Sequence, residues 1–440
     1  MGEHSISAEP APLPDAAGAH PRTPVPIAET VSGFQVGLVC VGIAITLPAL
    51  YTGGEIARGL GLAEGMVAVV AAALLLSVMS VPSGIVGVRT RLTSYMIIEH
   101  VFGPGGARIV NAAFGVVLLG WYAVTAELFG RSLAIASADL GGPALPQWCW
   151  TVGSSALVIF TTVYGFRALD RLALVAVPLL TLVLAGIVVA SLGDATLGSL
   201  LAIEGHGMAF TEGVSILIGA MIVNVVLMPD LTRFARTDRG AVVAAFVGNG
   251  GGIAISTVLA MIPALALGEL DPMVWFAVLG VGAMALAVLV FATWTTNGVN
   301  LYSTGLVAGS ALPRISYGRI VVGAGIFGTA LAIIGVADRL TDFLIVLGLI
   351  VPPVAGVYLT RFFLLGEQDF TRAHLDRVPA FDLRALGAAG VAGGISAGSW
   401  FSGLELTGLP SIEALLLAAG LTLLLDRGRR PTQRTNEAAA

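Results

Sequence analysis

Residues 291–306 read F-A-T-W-T-T-N-G-V-N-L-Y-S-T-G-L, between an apolar run at 274–290 and a basic turn around Arg314. Those surroundings belong to a membrane interior, yet the stretch carries Thr293, Thr295, Thr296, Asn297, Asn300, Ser303 and Thr304. On a helix, residues three and four apart share a face, so Ala292, Thr296, Asn300 and Thr304 form one stripe with Thr295 on its shoulder. Polar side chains in lipid need partners. The stripe either faces other helices and a wet cavity, or its hydroxyls bond back to the carbonyls of their own helix. The stretch alone leaves both readings open.

The rest of the chain sets the class. Of 440 residues, 56% are hydrophobic and only 11% charged, with mean hydropathy +0.93, whereas soluble domains carry about 25% charge. This is the composition of an all-α polytopic membrane protein, with the lipid bilayer as its solvent. Net charge is −5 and all 22 basic residues are arginine. They are scattered between apolar runs, which is not a nucleic-acid-binding patch. Cys40 and Cys149 match neither a metal spacing nor a disulfide framework. The proline-rich residues 1–29 lack an apolar signal core and read as a disordered tail.

Twelve apolar stretches follow, approximately 32–51, 65–88, 107–135, 148–164, 172–192, 213–228, 241–267, 273–307, 319–336, 342–363, 386–401 and 410–425. Most are near the roughly 20 residues that cross a bilayer. If the N-terminus is cytoplasmic, the odd connections hold only Arg58, Arg131 and Arg339, and the other nineteen of the 22 arginines fall inside. That asymmetry predicts twelve transmembrane helices with both termini cytoplasmic. The first stretch (Gly42-Ile-Ala-Ile-Thr46-Leu-Pro48) and the sixth (Gly219 to Asn224, ending at Pro229-Asp230) both look interrupted. An irregular pair in corresponding positions suggests a five-plus-five inverted repeat, about 30–192 and 208–364, with a site at the midplane. The expected order is then a ten-helix core at 30–364, a cytoplasmic loop at 365–385, two additional helices within 386–427, and a cytoplasmic tail at 428–440.

Two enzyme-like strings fail on context. Gly323-Ala-Gly325-Ile-Phe-Gly328 has no strand before it to form a dinucleotide site. Gly394-Ile-Ser396-Ala-Gly398 lacks the strand-to-helix turn of a nucleophile elbow. Both suit small residues at helix contacts, and the chain reads as a non-enzyme with no catalytic residues. Glu127 lies within the third stretch, where it is either a proton or cation site or an i, i+4 partner of Arg131; the spacing, with Glu first, favours the pair. Trp121 stands near mid-span rather than at an interface, and its indole either packs or offers a face to a planar ring.

Five segments taken together carry a resemblance: residues 51–60 (Y-T-G-G-E-I-A-R-G-L), Gly120-Trp121-Tyr122, residues 229–236 (P-D-L-T-R-F-A-R), Trp294-Thr-Thr-Asn297 with residues 301–306, and residues 351–356 (V-P-P-V-A-G). The chain resembles the purine–cytosine permease family, the nucleobase–cation symporters, most nearly the cytosine permease branch. The resemblance implies a LeuT-type fold in a bacterial inner membrane and cation-coupled import of a small planar nitrogenous ring. It places Na⁺ on the carbonyls of Gly42 and Ile45 and the hydroxyls of Thr295 and Thr296, with H⁺ as the alternative coupling ion. The substrate positions it implies are Trp121 as the stacking residue, Thr125, Ala220, Met221, Asn224 and Ala292. Three of these depart from the cytosine branch or stand in for what is lost. Met221 replaces an aromatic, Ala292 replaces an asparagine, and Asn224 offers a substitute amide. Such changes at polar contacts alter the preferred ligand, and the alternative is an H⁺-coupled carrier of a hydantoin, creatinine or a thiamine-precursor pyrimidine with Glu127 as the proton or cation site.

Overall fold

The computed structural model describes residues 23–139, 141–164, 179, 181–193, 195–278, 282–311, 315–404 and 407–427. Described residues are helical, with two isolated bridges, Val31 to Ala235 and Gly61 to Glu204, and no sheet. Helix α1 (Gly33–Ala44) opens on a capping box in which Ser32 and Gln35 exchange bonds. It stops at Ile45 (φ −93°, ψ 86°) and extended Thr46, and α2 (Leu47–Thr90) restarts with Pro48 in its first turn. The expected interruption of the first stretch is therefore present.

Two further turns lie inside long helical elements. Gly61 in α2 and Gly103 in α3 (Ser94–Asp139) both have φ of 78°, a conformation costly for residues with a Cβ. The tail of the first apolar stretch, after the break, and the second stretch are thus one element folded at Gly61. After α4 (Gln147–Tyr164), the fifth stretch is seen as α5 (Thr181–Ser191); its residues 172–178 and 180 lie outside the described residues.

The sixth stretch differs from expectation. After the short α6 (Leu197–Leu201), α7 (Phe210–Val226) runs unbroken through Gly219–Asn224, and the joint falls at Leu227 before α8 (Met228–Thr232). Gly219 serves contact rather than breakage, since a Cβ there would collide with the Leu344 carbonyl. Pro229, with no N–H to donate to the preceding turn, marks the joint. The seventh stretch passes through α9 (Asp238–Ala245), a π-turn at Phe246–Gly252 and α10 (Ile253–Leu267). The long eighth stretch is seen as α11 (Pro272–Val278) and α12 (Gly282–Ala311); residues 279–281 lie outside the described residues.

The chain ends with α13 (Tyr317–Ile333), a 3₁₀ turn at Val336–Arg339, α14 (Leu340–Ile350), α15 (Pro352–Leu359), a π-turn at Thr360–Leu364, α16 (Arg372–Leu375), α17 (Leu383–Ser402) and α18 (Pro410–Leu425). Three packing groups result: α2 with α7 and α10; α3 with α4, α12 and α13; and α15 with α17 and α18. In α13, added Cβ atoms at Gly325 and Gly328 would strike Ile159 and Tyr122, so the GxGxxG string is a helix contact. The GxSxG string lies wholly inside α17.

Among the described residues, four elements are long and apolar enough to cross a membrane by length and composition, Pro48–Thr90, Ser94–Ala138, Asp238–Leu267 and Val336–Leu364. Several arginine-bearing connections gather at one end. Arg89 pairs with Asp238 at 2.7 Å, Val25 donates its N–H to the Arg91 carbonyl, and Arg236 Nε donates to the Thr30 carbonyl. Arg58, by Gly61, and Arg131, 3.4 Å from Asp338, belong to the far ends of α2 and α3.

Candidate functional site

The break at Ile45–Thr46, the middle of α3, the α7–α8 joint and α12 enclose a cavity of about 380 Å³, a size suited to a small ligand. Its wall holds Trp121 and Thr125 from α3, Ala220, Met221 and Asn224 from α7, and Thr296, Asn300 and Ser303 from α12. Five of the six expected substrate positions therefore meet on one surface. The sixth, Ala292, lies in α12, but its side chain is outside the described residues.

The polar stripe of α12 divides between its two readings. Thr296, Asn300 and Ser303 face the cavity, whereas Thr304 donates back to the Asn300 carbonyl at 2.8 Å. Thr125 is 1% exposed and its hydroxyl has no hydrogen-bond partner among the described residues. A buried hydroxyl left so costs about 1–3 kcal/mol, a cost that a ligand's polar atom can relieve. Phe343 of α14 meets Trp121 edge-on, with ring centroids 5.5 Å apart and planes at 81°. Gly120 makes room for this contact, because a Cβ there would strike the Phe343 ring. The Asn224 amide nitrogen approaches the Met221 sulfur at 3.7 Å, which turns its donor toward the thioether.

Several wall residues escaped the sequence reading. Asp230 in α8 accepts the Ser94 N–H at 2.7 Å, and burial raises its carboxyl above the usual range against the opposing pull of that N–H and of Arg233. Asn249 donates to Ser80 Oγ at 2.6 Å from within the π-turn. The π-turn inserts a residue into the helical register, so no 3.6-residue periodicity could have assigned Asn249 a face. The Pro229-Asp230 pair was visible as the end of a span, but only the fold turns α8 onto the cavity.

Glu127 is not on the wall. It is buried, its Oε2 accepts the Ala337 N–H at 2.7 Å, and its Oε1 lies 3.6 Å from Arg131. The expected i, i+4 pair is thus formed. Among the four expected sodium ligands, Thr296 reaches the cavity, Thr295 is buried in α12, and Ile45 is buried at the break. Gly42 lies in the last turn of α1, whose terminal carbonyls have no intrahelical donors, and Pro48 supplies no N–H. Such carbonyls with threonine hydroxyls suit a hard monovalent cation. No cluster of three acidic, His or Cys ligands exists among the described residues.

Residues 27–378 match the family described as "Permease for cytosine/purines, uracil, thiamine, allantoin". The chain belongs to this cytosine/purine permease family. Cytosine permease of Escherichia coli strain K12 is 27% identical over 416 residues, covering 92% of this chain and 93% of that one; the protein of E. coli O157:H7 matches equally. Among solved structures, the inward-facing conformation of Mhp1 superposes with TM-score 0.82 at 20% identity, over 95% of this chain and 94% of that one. Mhp1, a nucleobase-cation-symport-1 family transporter, in a closed conformation with bromovinylhydantoin bound, gives 0.77 at 20% identity, over 94% and 95%. This permease is accordingly a membrane transporter rather than an enzyme, with the fold of Mhp1.

Proposed function

We propose that this permease imports a small planar nitrogenous ring, cytosine or a related heterocycle, by Na⁺-coupled symport with alternating access. The supporting observation is the convergence of Trp121, Thr125, Ala220, Met221, Asn224 and Thr296 on one cavity of ligand size. Trp121 supplies a π-face; stacking a base on an aromatic is worth about 1–3 kcal/mol. The unpartnered Thr125 hydroxyl and the Asn224 amide read the ring edge. Met221 in the family's aromatic position is a pliable wall that accepts a ring of different outline, and with Ala292 it moves preference away from cytosine toward rings such as hydantoins. Gly42 and Ile45 carbonyls with Thr295 and Thr296 hydroxyls hold Na⁺ beside the ring. The cavity runs toward Asp230 and Leu231 at the arginine-rich end, the face from which an imported ring leaves. The arginine bias argues for twelve spans with both termini cytoplasmic in the inner membrane, arranged as a ten-helix core at 30–364, a loop at 365–385 and two additional helices. One positive charge moving inward gains about 2.3 kcal/mol per 100 mV.

The test is uptake into proteoliposomes with and without a sodium gradient, the substrate being chosen by thermal shift across nucleobases, hydantoins, creatinine and pyrimidine thiamine precursors. Uptake collapses without the gradient, and Thr296→Ala loses sodium dependence while keeping its fold. A Thr296→Ala transporter with unchanged sodium dependence sinks the ion site; unchanged uptake by Glu127→Gln removes the proton-coupled alternative.

A further inference from the structure

His100 lies in the head of α3, before the turn at Gly103, and is 4% exposed. Its two ring nitrogens both meet backbone carbonyl oxygens. Nδ1 is 2.8 Å from the Met96 carbonyl, one turn back, and Nε2 is 3.3 Å from the Thr371 carbonyl, 271 residues away in sequence. A neutral imidazole has one N–H and one lone pair, so it can donate to only one of these oxygens and must turn a lone pair toward the other. The imidazolium donates to both.

The surroundings sharpen this. The His374 ring stacks on His100 at 5.9 Å with planes at 15°, and Phe370 closes another side at 5.2 Å. Two stacked imidazoles disfavour a double charge, and burial with the His100 charge holds His374 below its ordinary value despite Asp369. Asp369, though burial works against its charge, is kept below the carboxylate range by hydrogen bonds from Thr371 and by the two histidines. It accepts both the N–H and the hydroxyl of Thr371, at 3.0 and 2.7 Å, and so fixes the residue that His100 grips. Of the other charged groups facing this site, Glu99 and Arg108 on α3 and Arg372 and Asp376 around α16 line the adjoining cavity, and Glu367 and Arg377 act on His374 with opposite sign.

We propose that His100 is a proton-operated latch. Charged, it fastens the segment from Asp369 to Val378 onto the head of α3; neutral, with its one proton kept on Nδ1 for the shorter bond to Met96, it turns a lone pair to the Thr371 carbonyl and lets that segment go. The head of α3 also carries Ser94, whose N–H holds Asp230 in the wall of the central cavity. The latch therefore steadies the cavity mouth as acidity rises on the arginine-rich face. That consequence for import rests on the proposed function, whereas the latch itself does not.

Hydrogen exchange of the purified full chain between pH 5.5 and 8, corrected for intrinsic rates, tests it. Amides within residues 371–378 should be roughly ten- to a hundredfold better protected at the acid end, the worth of one hydrogen bond to a charged donor. His374→Gln keeps that dependence and His100→Gln flattens it. Equal protection at both pH values in the wild-type chain overturns the latch. So does a dependence that survives His100→Gln and vanishes with His374→Gln. A transporter of other specificity would still show the wild-type exchange profile, so the two readings fail separately.

Discussion

At the scale of single residues, the informative groups are buried polar atoms in the cavity wall. Thr125→Val removes the unpartnered hydroxyl while nearly keeping volume. It should leave thermal stability unchanged or slightly raised, and should weaken substrate binding about tenfold, the worth of one lost hydrogen bond; binding titrations and melting curves on the same samples check both halves. Asp230 makes a pH prediction. Its folded-state pKa is raised by burial, so the protonated form is favoured in the fold. Its contribution to stability is complete below the unfolded value of about 3.9 and is lost as pH rises through the raised value. Asp230→Asn, which keeps an acceptor for the Ser94 N–H without the charge, should flatten that segment of the melting-temperature profile, whereas a profile parallel to wild type would show another group in control. Trp121 and Thr125 were legible because mid-span position and family pattern both pointed to them. Asp230 and Asn249 were not, since their approach to the cavity depends on a helix joint and a π-turn that leave no periodic trace.

Among the elements, the break between α1 and α2 could be read from a clustered glycine, threonine and proline. The joint after α7 could not be placed from Gly219, because glycine in a membrane helix is used for close approach as readily as for breakage. The folds at Gly61 and Gly103 were missed for a related reason: only the dihedral shows that a glycine is turning the chain. Gly103→Ala should be severe. It forces a Cβ into a positive φ, costing about 1–2 kcal/mol, and drives it into the Pro379 carbonyl. Gly387→Ala in α17 is the matched contrast, since nothing lies within 4 Å of its added Cβ; there alanine should stabilise by about 0.5–1 kcal/mol. Thermal unfolding of the two variants in one detergent decides the matter, and equal melting temperatures would mean that the Gly103 turn yields to a side chain without cost.

For the molecule as a whole, the question is what joins α17 and α18 to the helices that build the cavity. Apolar contacts with α15 supply area, but lipid tails compete for the same surfaces, so hydrophobicity gives little net preference for docking. Arg361 supplies direction. It is 1% exposed in the π-turn after α15, where Nη1 donates to Asp382 at 2.9 Å and to the Val101 carbonyl of α3, and Nε donates to Asp426 at 2.8 Å. Asp382 heads α17 and accepts two of its first N–H groups, while Asp426 caps the end of α18. One guanidinium thus ties both C-terminal helices and the head of α3 together at the arginine-rich end. Removing it takes away the buried guanidinium that balances two buried carboxylates, so Arg361→Met should cost about 3–5 kcal/mol. Neutralising the whole group is gentler, because buried charges carry a desolvation penalty that disappears with them. Arg361→Met with Asp382→Asn and Asp426→Asn should therefore melt well above Arg361→Met alone. If the triple variant instead melts at or below the single one, the network's hydrogen-bond geometry rather than charge balance holds these helices in place.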